Sequence, residues 1–318
     1  VTVDYDKTVE QLYTYVTEKW NKKANIKLTA TTTVSKPKYT TEDCEKVSNE
    51  PMGSYTTEFS VGSSYANRNL NIQNGAKLIN GAVVYPGEQY SCNENLYPWT
   101  EDNGWHPAGT YVDGGVQDSL GGGICQVSST LYNALLRAEI KVVKRFPHSM
   151  AVGYVPLSAD AALAGDYKDL VFENDTDAPI YVQGIYNSGG SITFNIYGHD
   201  TRKAGHSVKY ESKTVKTTPV KTQTKKDSSK PVGYSEVESS GHVGYVAELW
   251  KITYEDGRQV SKELIHTSTY AMSPTIVVKG TKKASATSKK DDSDKDHKKS
   301  SEETTKKSTS GKKSKKSE

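Results

Sequence analysis

The chain has 318 residues, enough for two or three domains, with a formal net charge of +3. That charge sits at the end: residues 282–318 hold 13 Lys and 7 acidic residues, a net +6, which leaves −3 for the rest. The basic balance is therefore no sign of a nucleic-acid-binding domain, and no apolar run approaches the roughly 20 residues of a membrane span.

Residues 1–61 read as a small α/β segment. Thr8 to Trp20 has a helical pattern, with Thr8 as cap and Val9, Leu12, Tyr13 and Val16 on one face. Ile26 to Ala30 and Thr32 to Val34 alternate like strands, and the turn at Pro37 leads to a second helix capped by Thr41. From Ser64 the texture changes. Asn67 to Leu78 is polar with weak apolar anchors, and Asn80-Gly81 signals a turn before a short strand at Val83 to Tyr85. Tyr90 to Gly115, with Trp99, Trp105 and His106, reads as a long loop of the kind that forms lids or clefts.

The stretch Gly121 to Ala134, GGGICQVSSTLYNA, is the focus of the chain. Ile124, Val127, Leu131, Ala134, Leu135 and Ala138 recur at helical spacing. At about 100° per residue, Cys125 falls outside that stripe, on a face shared with Ser128, Ser129 and Tyr132. It is expected to present a thiol at a helix amino end, away from the core. Unpaired first-turn N–H groups and the helix dipole favour thiolate there. The glycines would let a carbonyl approach backbone donors. The competing reading is a small buried cysteine in a glycine turn.

Val142 to His148 reads as a strand whose end delivers an imidazole, the usual partner of a catalytic thiol. His106 competes for that role, although its place beside Trp105 and Pro107 suits substrate contact equally well. Asp160 or Asp169 would orient the imidazole, or merely cap turns. Ile180 to Ile185 and Ser191 to Tyr197 alternate around Asn187-Ser-Gly-Gly, a hairpin that closes the domain near Gly198.

Residues 201–231, rich in Lys, Thr and Ser, read as a strand-like tether or linker. Residues 232–281 read as a strand-only module that binds or spaces. The tail, 282–318, cannot bury enough apolar surface to order itself; it is solvated, or touches anionic wall polymers or a membrane surface weakly. Cys44, Cys92 and Cys125 form no disulfide framework, though Cys44 and Cys92 could pair and leave Cys125 free. No His or Cys pair stands at metal-ligand spacing, so neither metal nor cofactor is expected.

GGGICQVSSTLYNA, the preceding YPGEQYSCNE, and RFPHSMAVGYVPLSADAALAGDYKDLVFEN together resemble the VanW domain, and Asn67 to Ile72 is similar to its opening segment. The resemblance spans roughly Ser64 to Gly198. Residues 1–61 resemble part of a peptidoglycan-binding domain, and 232–281, with a V-x-K-G-T close, resemble the G-five domain. The fold implied is α+β: a catalytic domain at 62–200 with a cysteine at a helix N-terminus, between a small α/β segment and a small all-β module.

What the resemblance implies is an extracytoplasmic L,D-transpeptidase. Cys125 would be the nucleophile, His148 the base, Asp160 its orienter, and Gly121 to Gly123 contributors to an oxyanion site. Gly122, Gly123, Gln126, Ser128, Tyr132, Arg145 and Ser149, with Trp105 and His106, are expected to contact substrate. Ser158 stands where glycine is usual ahead of the Asp160-Ala161 pair. The partners implied are peptidoglycan stem peptides and glycan, without nucleic acid. The chain begins at Val1 rather than Met and is read as a mature or trimmed chain whose targeting segment is missing. The resemblance implies a place in the cell wall, or at the membrane through a segment outside this sequence. The alternatives are a cysteine hydrolase of stem peptides and a non-catalytic wall-binding protein.

Overall fold

The computed structural model describes residues 1–22, 27–35, 39–112 and 115–283. Ile26, the Pro37 turn and the tail beyond 283 lie outside the described residues. At the start, β1 (Thr2–Val3) pairs antiparallel with β2 (Thr32–Thr33), and α1 (Tyr5–Thr14) lies between them in sequence. The helix begins earlier than its sequence suggests. Asp4 caps it, with Oδ1 accepting from the Lys7 N–H at 3.1 Å, while the Thr8 hydroxyl donates to the Asp4 carbonyl. A π-helical turn, Tyr15–Lys19, follows. The short α2 (Thr41–Glu45) is capped by Thr40, whose backbone N–H reaches Asp43 Oδ2 at 2.8 Å.

The central domain is built on a four-stranded antiparallel sheet of β3 (Gly53–Glu58), β4 (Ala82–Val84), β10 (Ile180–Asn187) and β11 (Ser191–Tyr197). Its spatial order is β3-β11-β10-β4. β3 pairs with β11 along its whole length, so this sheet also takes in residues 53–58, ahead of the expected boundary at 62. Two 14-residue helices, α3 (Ala66–Ile79) and α5 (Ile124–Arg137), pack on one face of the sheet. Glycines permit the close approach: a Cβ on Gly53 would come within 2.5 Å of the Ala134 carbonyl, and one on Gly184 within 2.7 Å of that of Ala76. Ile72, Ile79, Val127, Leu131, Leu135, Val182, Phe194 and Ile196 fill the space between helices and sheet. Each such side chain, fully buried, stabilises the fold by about 1.5–3 kcal/mol.

A smaller sheet covers the other end, in the order β5-β9-β8, from β5 (Gln89–Ser91), β8 (Lys141–Lys144) and β9 (Val171–Glu173). The stretch expected to be an open loop is structured. It holds α4 (Cys92–Leu96), a 3-10 turn at Glu101–Asn103, and the start of a hairpin of β6 (Pro107–Val112) and β7 (Gly115–Leu120). Trp105 is the reason it is anchored. It is fully buried, and its indole N–H donates to the Leu96 carbonyl at 3.2 Å.

The strand-like tether or linker expected at 201–231 is two long strands that belong to the all-β module. β12 (His206–Thr218) pairs with β15 (Gly244–Glu255), which pairs with β16 (Arg258–Tyr270). β13 (Thr222–Pro231) runs parallel to β17 (Thr275–Lys282), which also takes β14 (Ser235–Ser239). The all-β module therefore starts near 206. It is docked on the central domain: Glu139, just past α5, receives Lys251 Nζ at 2.6 Å and His206 Nε2 at 2.7 Å. The Tyr210 hydroxyl donates to the Leu136 carbonyl at 2.7 Å.

Candidate active site

Cys125 is the second residue of α5, a helix that begins directly after the three glycines, Gly121 to Gly123, that turn the chain out of β7. Gly123 caps the helix at φ +107°, a left-handed conformation that glycine adopts without strain. Gly122 is pressed so closely on the Ala108 backbone that a side chain would not fit. The expected exposed face of α5 does not exist. Ser128, Ser129 and Tyr132 are buried, because the segment 159–163 lies over them. Ser128 donates to the Ala161 carbonyl at 2.7 Å, and Ser129 to the Cys125 carbonyl at 2.7 Å. Cys125 alone on this side is half-buried rather than sealed, with Sγ 3.4 Å from both the Leu163 N–H and its carbonyl. The N–H favours a thiolate; the carbonyl would take the proton of a thiol.

His148 leaves β8 through Pro147 and folds back over this sulfur. Its backbone N–H and ring Nδ1 both contact Asp160 Oδ2, each at 2.7 Å. That leaves Nε2, 3.4 Å from the Tyr154 hydroxyl, as the ring nitrogen not engaged by Asp160, and the ring acts on the Cys125 thiol through hydrogen bonding and charge. Asp160 is almost completely buried, and Arg145 Nη2 sits 2.7 Å from its Oδ1. Arg145 Nε also donates to the Asp160 carbonyl at 2.5 Å, so the guanidinium is committed to the carboxylate's residue. Asp169 is placed elsewhere, where it caps α4 by accepting from the Asn93 N–H and the Ser91 hydroxyl.

The electrostatics follow from this chain of contacts. Burial raises the Asp160 carboxyl, but the His148 hydrogen bond and the Arg145 charge outweigh it and hold it at about 2. Burial lowers the His148 imidazolium, yet Asp160 and the sulfur raise it to about 9. Burial raises the Cys125 thiol, and the hydrogen bond and charge of His148, with help from Leu163 and Lys168, bring it below its ordinary value. Tyr154, pushed well up by burial, stays neutral beside the pair. The arrangement favours a thiolate–imidazolium pair steadied by a buried carboxylate.

Other residues expected to meet substrate are used internally. Gln126 is buried, accepts from Arg68 Nη2 at 2.7 Å and donates to the Thr57 hydroxyl at 2.9 Å. The Tyr132 hydroxyl contacts His266 Nε2 at 2.8 Å. Trp105 is core, Gly122 is packed under Ala108, and Arg145 serves Asp160. His106 lines a cavity of about 550 Å³ with Gln73, Asn74, Lys77 and Tyr186, whose lining does not include Cys125 or His148. Ser149 remains exposed beside His148, and Gly123 half-buried beside Cys125. Cys44 and Cys92 are unpaired, the first exposed and the second buried in the core. Sequence reasoning missed Tyr154, Lys168 and three residues of β16 that reach this region, His266, Ser268 and Tyr270. Tyr154 lies within the same VanW-like motif as His148, which was the signal available. No group of His, Cys, Asp and Glu able to hold a metal occurs among the described residues.

Residues 67–197 match the family described as VanW like protein, and residues 209–282 match the G5 domain. Among curated relatives, the uncharacterized protein YoaR of Bacillus subtilis (strain 168) is 37% identical over 164 residues, covering 52% of this chain and 53% of that protein. The vancomycin B-type resistance protein VanW of Enterococcus faecalis (strain ATCC 700802 / V583) is 28% identical over 116 residues, covering 35% of this chain and 42% of that protein. The chain thus spans about half the length of the curated relatives it matches. Among solved structures, the G5 domain of IgA1 protease is 29% identical, with a TM-score of 0.19, covering 26% of this chain and 96% of that one. The chain therefore carries a domain of the VanW family followed by a G5 domain.

Proposed function

We propose that this protein is a cysteine acyltransferase of the cell wall, an L,D-transpeptidase acting on peptidoglycan stem peptides. The observation that carries the reading is His148, whose Nδ1 lies 2.7 Å from the buried Asp160 and which lowers the Cys125 thiol through hydrogen bonding and charge. The thiolate attacks the carbonyl carbon of the third residue of a tetrapeptide stem. A tetrahedral oxyanion forms beside the amino end of α5, where the Cys125 N–H and the helix dipole favour negative charge. The C–N bond to the terminal D-alanine breaks, and the His148 imidazolium gives its proton to the departing amine. A thioester remains on Cys125. The side-chain amine of a second stem then attacks that thioester, the neutral His148 takes its proton, and the C–S bond breaks to restore the thiolate–imidazolium pair. The product is a 3-3 cross-link.

Membership of the VanW family and the presence of a G5 domain support a place at the cell wall, outside the cytoplasm. Among the described residues no helix is long and apolar enough to cross a membrane. Glycan and stem peptide are the proposed partners.

The test is product analysis by mass spectrometry after incubating the protein with purified disaccharide tetrapeptide. A 3-3 linked dimer with released D-alanine is expected. Tripeptide monomer as the only product would replace transpeptidation with hydrolysis. Unchanged substrate with a folded protein would remove the enzymatic reading.

A further inference from the structure

We propose that the G5 domain is a working part of the catalytic apparatus, with Tyr270 of β16 acting as a positioning residue for Asp160. The inference rests on the thiolate–imidazolium reading of Cys125 and His148. Strand β16 carries His266, Ser268 and Tyr270 at a spacing of two, so all three point to one face of the sheet. Thr267 and Thr269 between them are exposed, whereas Ser268 and Tyr270 are 1% and 3% exposed. The covered face is polar, and its partners are the residues around the candidate dyad.

The Tyr270 hydroxyl donates to Asp160 Oδ1 at 2.5 Å and accepts from the Ser158 N–H at 2.6 Å. Ser268 Oγ accepts from Arg145 Nη1 at 2.8 Å and lies 2.8 Å from Ser158 Oγ. His266 joins Ser158 Oγ, 3.1 Å from its Nδ1, to the Tyr132 hydroxyl on α5. The Ala271 N–H donates to the Ser149 carbonyl at 2.7 Å, beside His148 itself. Asp160 Oδ1 is thus held by one donor from the VanW domain, Arg145, and one from the G5 domain, Tyr270. Its Oδ2 is left to His148.

Buried polar groups left without partners are costly, so this interface permits few relative placements of the two domains. A carboxylate fixed in its plane keeps the imidazole oriented at the sulfur. Ser158 fits the same account. It has φ +68°, where serine is strained, and its backbone and hydroxyl are both bonded to β16. The bonds from β16 offset the strain of that backbone conformation.

The test is alkylation of Cys125 by iodoacetamide across pH, followed by peptide mass spectrometry, which needs no substrate. In the otherwise wild-type protein, Tyr270→Phe is expected to lower the rate at pH 6 by about three- to tenfold, as a looser carboxylate holds His148 less well. In an Asp160→Asn background the same substitution is expected to change nothing further, since its effect passes through Asp160. Thr269→Ala, on the exposed face of β16, should leave the profile as in wild type. If Tyr270→Phe does not fold, Ser268→Ala carries the same comparison through Arg145. An activated wild-type thiol whose profile is unmoved by Tyr270→Phe, or is moved equally in both backgrounds, would overturn the inference. A wild-type thiol with ordinary reactivity would instead overturn the proposed function.

Discussion

Two cysteines stand at helix starts in one domain, and their environments are opposite. Cys92 is the first residue of α4 and Cys125 the second of α5. Cys92 is fully buried, and burial together with the nearby Asp169 carboxylate pushes its thiol well above the ordinary value. Cys125 is also disfavoured by burial, yet His148 and its support reverse the sign. A helix amino end therefore does not activate a thiol by itself. What decides is the charge of the neighbouring side chain, a carboxylate in one case and an imidazolium in the other.

The comparison can be broken in order of expected effect. Cys125→Ala should abolish product formation with the fold retained, as judged by circular dichroism. Cys92→Ala should keep the chemistry and lose only about 1–2 kcal/mol of stability by thermal unfolding. Next, His148→Ala removes the main causes that lower the Cys125 thiol, so burial prevails and Cys125 becomes like Cys92. The expected loss is about tenfold to a hundredfold in alkylation rate at pH 7, and at least a hundredfold in turnover. A His148→Ala protein with full activity would transfer the base role to another group.

The pH dependence sharpens the same contrast. The thiolate is present above the lowered value of Cys125, and the imidazolium below about 9, so acylation should fall as pH rises through about 9. For stability, the Asp160 carboxyl is at about 2 when folded and near 3.8 when unfolded. Its contribution is present above pH 4 and lost as pH falls through about 2, about 2 kcal/mol in all. Thermal unfolding between pH 5 and pH 2 should show that loss in wild type and not in Asp160→Asn. The smallest effect concerns Ser158. Ser158→Gly relieves the strain but loses the bonds to His266 and Ser268, for a net change within about 1 kcal/mol. Ser158→Ala keeps the strain and loses the bonds, so it should melt lower than Ser158→Gly.

The start of α5 was legible because three glycines break the chain just before apolar residues at steps of three and four. The inward face of that helix was not. Ser129, Thr130 and Asn133 look like a solvent face, but they reach carbonyls one turn back, at 2.7, 2.7 and 2.8 Å, and so enter the core with partners. Strands β12 and β13 were hidden for the converse reason. Most of their residues are exposed on both faces, so no apolar alternation marks them. Trp105 looked like a cleft residue, and the carbonyl that satisfies its indole lies in α4, out of reach of local pattern. The contacts of Tyr270 with Asp160 and Ser158 span 110 and 112 residues, a separation at which spacing carries no signal.

The proposed chemistry requires Cys125 alone to carry an acyl group. Intact-protein mass spectrometry after incubation with a disaccharide tetrapeptide measures this directly, for wild type, Cys92→Ala and Cys125→Ala. The predicted result is an adduct equal to substrate minus D-alanine in the first two proteins and none in the third. An adduct that persists in Cys125→Ala, or neither adduct nor product from a folded wild type, would contradict it.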